Sequence, residues 1–335
     1  MDDLMRTVLL RLPFATSVIV PLGFLWHYWR RANAFVPRAA SSPWARIVRR
    51  HVWFTRTASA VAFGAVAAML LDLGAFGRDY DGWSSFLIPL TLAIVCIGAL
   101  ACLSAAEPRG LAGAAGHLDL TTRSLWSFGR RFAFASWILV AVLLLVTLLL
   151  AGLASSTDDD GRYSRLTITL GTMAAASTTF PGWYFGVPVF IGVALLTAVT
   201  GLALWAGARP SLAVDPAERT LDVWLRRLHT RTVLTLGGGA LTLTLAWMLI
   251  SIGGAGTMAY SAPAGNLGTI TVGSPLAAVA VPLTVLGLIL QGIGVALLLL
   301  PLLTKQPQLL LRDEATSPPE PPDATDGVRA TALRS

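Results

Sequence analysis

Charge is what this chain has least of. Of its 335 residues only 13% are charged, while 55% are hydrophobic; an ordinary soluble domain carries about 25% charge. A water-soluble globule is thereby excluded, and the chain reads as dissolved in lipid. Lysine is nearly missing: of 25 basic residues, Lys305 alone is not arginine, a coding bias rather than a functional mark. Cysteine is limited to Cys96 and Cys102. Six positions apart on a helix, they are separated by about 9 Å of rise and face opposite ways, so no disulfide joins them. The first residues, with Asp2, Asp3 and Arg6, lack the basic start and cleavage site of a secretory signal and are expected to be retained.

Catalytic motifs are missing as well. There is no G-x-S-x-G, no H-E-x-x-H and no P-loop, and no lysine lies mid-membrane to form a Schiff base. His27, His51, His117 and His229 match no compact ligand spacing. The expectation is no catalytic residue, no cofactor and no metal, hence not an enzyme. The net charge of +7 sits on arginines in short connections beside apolar runs. Orientation against an anionic leaflet accounts for them better than nucleic acid does.

What the chain does have is seven long apolar runs, at about 9–29, 57–76, 84–104, 132–154, 186–207, 232–253 and 275–304. Each can satisfy its own backbone as a helix in lipid. The fold class is all-α integral membrane: a seven-transmembrane-helix bundle over residues 1–304, with 305–335 a disordered cytoplasmic tail. Arginine sets the orientation. Alternate connections hold 20 of the 25 basic residues, and the others hold only Arg6, Arg11, Arg78, Arg162 and Arg165. Basic connections stay inside, so the amino terminus is expected outside the cell membrane and the carboxy terminus inside. Pro13, Pro21 and Arg11 weaken the first run, and the alternative is six spans preceded by an N-terminal interfacial helix.

Two cytoplasmic segments carry helical periodicity. Asp215-Pro-Ala-Glu218 reads as an N-cap with a capping box, after which Leu221, Trp224, Leu225 and Leu228 recur at i, i+3, i+4 and i+7. Arg219, Asp222, Arg226 and Arg227 lie opposite. A second segment from Pro43 sets Trp44, Ile47, Val48 and Val52 against Arg46, Arg49 and Arg50. Each reads as an interfacial helix, and the sharper reading of the first is a docking surface for a cytoplasmic partner. Outside, Arg165 to Leu170 alternates as a strand does, and Thr269-Ile-Thr-Val-Gly273 echoes Thr167-Ile-Thr-Leu-Gly171. A duplicated unit is one reading of this echo; paired with each other, the two strands would make a small extracytoplasmic β cap.

Ionisable groups are few within the spans, where they are costly. Arg11 and Asp72 lie at matching depth near the outer ends of adjacent antiparallel spans and are expected to form an intramembrane ion pair. Gln291, mid-span, needs an interhelical partner, which Thr235, Thr242 or Thr244 could supply unless they bond to their own helix. Ala60, Gly64 and Ala68, and Gly237-Gly-Gly239, are expected to turn inward and bring backbones close. The leucines of span four are expected to face lipid. Pro282, Gly287, Gly292 and Gly294 predict a tilt, kink or break in the last, overlong run. Pro181-Gly-Trp-Tyr-Phe-Gly-Val-Pro188, with the Arg- and Ala-rich loops around it, resembles uncharacterised multi-pass membrane proteins of high-GC actinobacteria over about residues 130–304. That resemblance implies no established activity.

The expected partners are the lipid bilayer and a cytoplasmic protein such as a transport ATPase. A membrane subunit or accessory protein of a transport or export complex is the leading reading. The alternatives are a receptor-like or signal-relay protein with an outer ligand surface, and an enzyme of lipid-linked substrates. For the last, Asp79, Asp81 and Asp158 to Asp160 are the acidic candidates.

Overall fold

The computed structural model describes residues 38–40, 42–76, 84–106, 128–170, 174–208, 216–263, 269–303 and 309–311, with the single position 23. Six of its helices are long and apolar enough to cross a membrane: α1 (Ser42–Phe76), α2 (Ser84–Ala105), α3 (Arg131–Ala154), α4 (Trp183–Gly207), α5 (Pro216–Gly256) and α6 (Ala277–Leu299). The chain fits a polytopic membrane protein. The expected first span at 9–29 lies outside the described residues.

The two amphipathic segments are not separate interfacial helices. They are the first turns of α1 and α5. After Pro43 the first has no proline or glycine before Gly64, and after Pro216 the second has none before Gly237, so nothing stops either helix from running on. Their apolar faces then meet: Val48 and Val52 pack against Leu221, Leu225 and Leu228, flanked by Ile47 and Trp224. At 41 residues, α5 is about 62 Å long, roughly twice the hydrocarbon thickness.

α5 is also the axis of the bundle. Its apolar stretch is 89% buried, against 28% for α3. On α3, Leu143, Leu149 and Leu150 face outward as expected, but Leu144 and Leu148, one turn apart, are sealed in the core. Gly237, Gly238 and Gly239 are buried on α5. Ala60, Gly64 and Ala68 are not; all three are exposed, which reverses the expected facing of α1. Its inward stripe is instead Val52, Thr55, Ser59, Ala62 and Val66, and the Ser59 hydroxyl donates to the Leu298 carbonyl of α6.

α5 and α6 approach closely along a glycine seam. A Cβ at Gly287 would stand 2.8 Å from the Ala246 carbonyl oxygen, and one at Gly294 3.1 Å from that of Gly239. Gly253 repeats this against Ala280, at 2.7 Å. The last run is shorter than expected and unbroken: α6 has 23 residues and carries Pro282 within it. Pro282 takes away the donor that would reach the Ala278 carbonyl, yet the helix runs on through it.

At the far end of α5 lie two small sheets. The strands expected at 165–170 and 269–273 do form, but they do not pair with each other. Each is satisfied by its own neighbours, because a short turn closes a hairpin more readily than a distant strand can dock. β2 (Ser156–Thr157), β3 (Tyr163–Leu170) and β4 (Ala174–Thr179) make an antiparallel sheet, and β5 (Ala259–Pro263) pairs with β6 (Thr269–Gly273). Leu166 and Phe180 pack with Ala151, Ile252 and Ala255, so both sheets sit on one end of the bundle. The aromatics from Trp183 gather there: Arg162 lies over the Tyr184 ring at 5.3 Å, and Phe185 meets Phe86 edge-on at 5.6 Å. At the opposite end β1 (Arg38–Ala40) runs parallel to β7 (Leu309–Leu311). The tail expected to be disordered therefore contributes a strand, since three apolar leucines find an unpaired edge.

Candidate functional site

A polar cluster turned into the protein lies where α5 passes the ends of α2 and α4. An aspartate and an arginine four residues apart share a helix face. Here that face is turned inward. Asp222 and Arg226 pair at 2.8 Å, with their side chains 10% and 13% exposed. Arg226 Nη1 also donates to the Gly207 carbonyl at 2.6 Å, and its guanidinium stands 5.6 Å from the Phe128 ring centre. Gly207 is the last residue of α4, so a cation caps a helix end whose carbonyls lack internal donors.

One turn on, the buried His229 ties α5 to two helices. Its Nε2 is 2.9 Å from the Ala203 carbonyl on α4, and its Nδ1 is 3.3 Å from Ser104 Oγ on α2. A carbonyl can only accept, so Nε2 carries the proton and the neutral ring accepts from Ser104. A Cβ on Gly207 would meet His229 Cδ2 at 2.9 Å, and glycine there gives the imidazole its place. His51 of α1 is buried as well. The cluster can hold three helices in register. Among the described residues there is no group of three or more metal-ligating side chains.

Sequence reasoning assigned Asp222 and Arg226 to a solvated face and missed this cluster. The available signals were the i, i+4 pairing, the unbroken run into the span and the triple glycine that marks α5 as interior. Leu221, Leu225 and Leu228, with Trp224, were offered to a cytoplasmic partner; α1 of the same chain fills that face. Of the expected ion pair, Arg11 lies outside the described residues, as do His27, His117, Asp79 and Asp81, and Asp72 falls near the end of α1.

Gln291 is fully buried on α6, and neither amide atom has a hydrogen-bond partner among the described residues. The expected threonines bond to their own helix: Thr242 to Gly238, Thr244 to Ala240, and Thr235 to Arg231 and Thr232. An unsatisfied buried amide is a standing cost. Gln291→Leu should therefore raise the unfolding free energy by about 1–3 kcal/mol, read from unfolding in mixed micelles. A fall instead would show that the amide is satisfied.

At the sheet end, Asp158 organises the β2–β3 turn, whose Gly161 takes the left-handed φ of +76°. Asp159 and Asp160 pair with Arg165 and Arg162. The Asp158 carboxylate accepts from the Ser164 hydroxyl at 2.6 Å and from the N–H groups of Arg162 and Asp160 at 2.7 and 3.0 Å. The Ser164 bond above all holds its pKa below the usual carboxylate value; desolvation opposes it, and the two backbone bonds and the Arg162 charge add to the lowering. The stabilisation is complete above the unfolded value of 3.8 and is lost as pH falls through the lowered folded value. Ser164→Ala should move the Asp158 titration upward, measured by carboxyl NMR of Asp-labelled full-length protein; an unmoved titration would remove the hydroxyl as its cause.

Comparison with protein-family models, curated proteins and solved structures finds no match.

Proposed function

We propose that this chain is a membrane subunit or accessory component of a transport or export complex, working as a coupling element rather than an enzyme. The observation that carries this reading is α5, one unbroken helix from a basic extension through the bundle centre to the sheets. A rigid axis of that length transmits a push at one end to the other. The cluster at Asp222, Arg226 and His229 links that push to α2 and α4. In this reading the basic end is cytoplasmic, the sheets face outward and the membrane is the cell membrane. Because α1 covers the leucine face, the partner meets the exposed Arg227 and Arg231 of α5.

Purification in gentle detergent followed by mass spectrometry should recover a stoichiometric ATPase. Arg227→Glu with Arg231→Glu should lower its yield about tenfold. Purification of the wild type with no partner would overturn the proposal. An impermeant thiol reagent should label Asp160→Cys in intact cells; labelling only after permeabilisation would overturn the orientation.

The contact of Leu166 and Phe180 with Ile252 and Ala255 favours a second reading, a receptor-like relay in which the sheets bind an outer ligand and α5 carries the change inward. It predicts no associated ATPase, and altered proteolytic exposure of the basic end when Tyr163 and Tyr260 on the sheets are replaced.

A further inference from the structure

The outward face of α1 is divided into two chemistries along one line. Arg46, Arg49, Arg50 and Trp53 stand at i, i+3, i+4 and i+7, hence on one helical face, and all four are exposed. Trp53 is 60% exposed. Continuing down that face come Ala60, Val61, Gly64 and Ala68, again all exposed. At Gly64 no atom of the described residues lies within 4 Å of where a Cβ would stand, so the small side chains leave a shallow open strip. The outward face of α3, by contrast, is lined with large Leu, Val and Ile side chains.

We infer that this face of α1 binds one anionic phospholipid. The phosphodiester lies against Arg46, Arg49 and Arg50, the glycerol region beside Trp53, and an acyl chain along Ala60, Gly64 and Ala68. The dimensions agree. The three guanidinium positions span about 6 Å of helix. Gly64 lies about 16 Å beyond Trp53, about the depth of one leaflet. Guanidinium forks match phosphate oxygens, and indole rings favour the boundary between headgroup and hydrocarbon. An acidic protein would complement the arginines but leave the apolar strip beneath them uncovered; a phospholipid covers both. The inference is independent of whether the chain serves a transport complex.

The experiment is native mass spectrometry of the detergent-solubilised full chain with added phosphatidylglycerol or phosphatidylcholine. The wild type should retain the anionic lipid at least about tenfold better, each arginine at an anionic surface being worth about fivefold. The triple variant Arg46→Gln, Arg49→Gln, Arg50→Gln should lose that preference to within about twofold. Should the triple variant not fold, Arg50→Gln alone should show about a fivefold loss. Gly64→Leu, which keeps every charge, should weaken phosphatidylglycerol retention with no change in unfolding midpoint. Equal retention of the two lipids by the wild type would overturn the inference, as would a preference that survives the arginine changes. Competition by millimolar inorganic phosphate would make the site one for free anions and overturn the lipid assignment. A photo-crosslinking residue at position 61 should capture an adduct of phospholipid mass; a polypeptide adduct would show that a protein covers this face instead.

Discussion

Arg226→Ala is expected to destabilise the bundle by about 3–5 kcal/mol, because it takes from the buried Asp222 the guanidinium that stands 2.8 Å away. It also removes the donor to the Gly207 carbonyl at the end of α4, so α4 should fray at its last turn. Asp222→Ala should cost less, since Arg226 keeps Gly207 and the Phe128 ring. The double change Asp222→Leu with Arg226→Met should recover most of the loss, because a buried pair replaced by apolar side chains of similar volume is often close to neutral. Reversible unfolding in mixed micelles gives all three values. A cost below about 1 kcal/mol for Arg226→Ala would mean that water reaches the pair and that it latches nothing.

Filling the seam between α5 and α6 should be equally severe. Gly287→Leu or Gly294→Leu places a side chain where the backbone of α5 stands, at 2.8 and 3.1 Å from the carbonyl oxygens of Ala246 and Gly239. Backbone cannot move aside as a flexible side chain can, so the helices must separate. Overpacking of this kind costs about 1–3 kcal/mol or more, and separation of the two helices also opens the core around Met248 and Val295. Gly64→Leu, on the open face of α1, should change stability by no more than about 0.5 kcal/mol. If Gly64→Leu and Gly287→Leu prove equally harmful in the same unfolding assay, the close approach at Gly287 is not what the structure describes.

Much of the architecture was legible in the residues. Four of the six described spans fall within a few positions of the apolar runs, while α1 and α5 begin more than ten residues earlier, and the exposed leucines of α3 were anticipated. The strands at Tyr163–Leu170 and Thr269–Gly273 were visible in their alternation. The errors share a cause. Val48 and Leu221 looked like lipid-seeking faces because periodicity reports an apolar side but not what will cover it. Ala60, Gly64 and Ala68 looked like a packing stripe because small residues suit either a close helix or an open face. Asp222 and Arg226 looked solvated because charge normally is, and only a partner four residues away with a helix end opposite makes burial tolerable.

Order along the chain was settled by its own residues: where the apolar runs fall, which connections carry arginine, and where strand alternation replaces helical periodicity. Those properties follow from neighbours a few positions apart, since a helix in hydrocarbon satisfies its backbone from within. The tertiary structure alone decided which side of each helix is interior. It set α5 at the axis, turned the small face of α1 outward, folded the leucines of α5 onto α1 and left Gln291 without a hydrogen-bond partner among the described residues. Each of these depends on shape matching between segments as distant as Gly239 and Gly294, and no local pattern encodes which surfaces will meet.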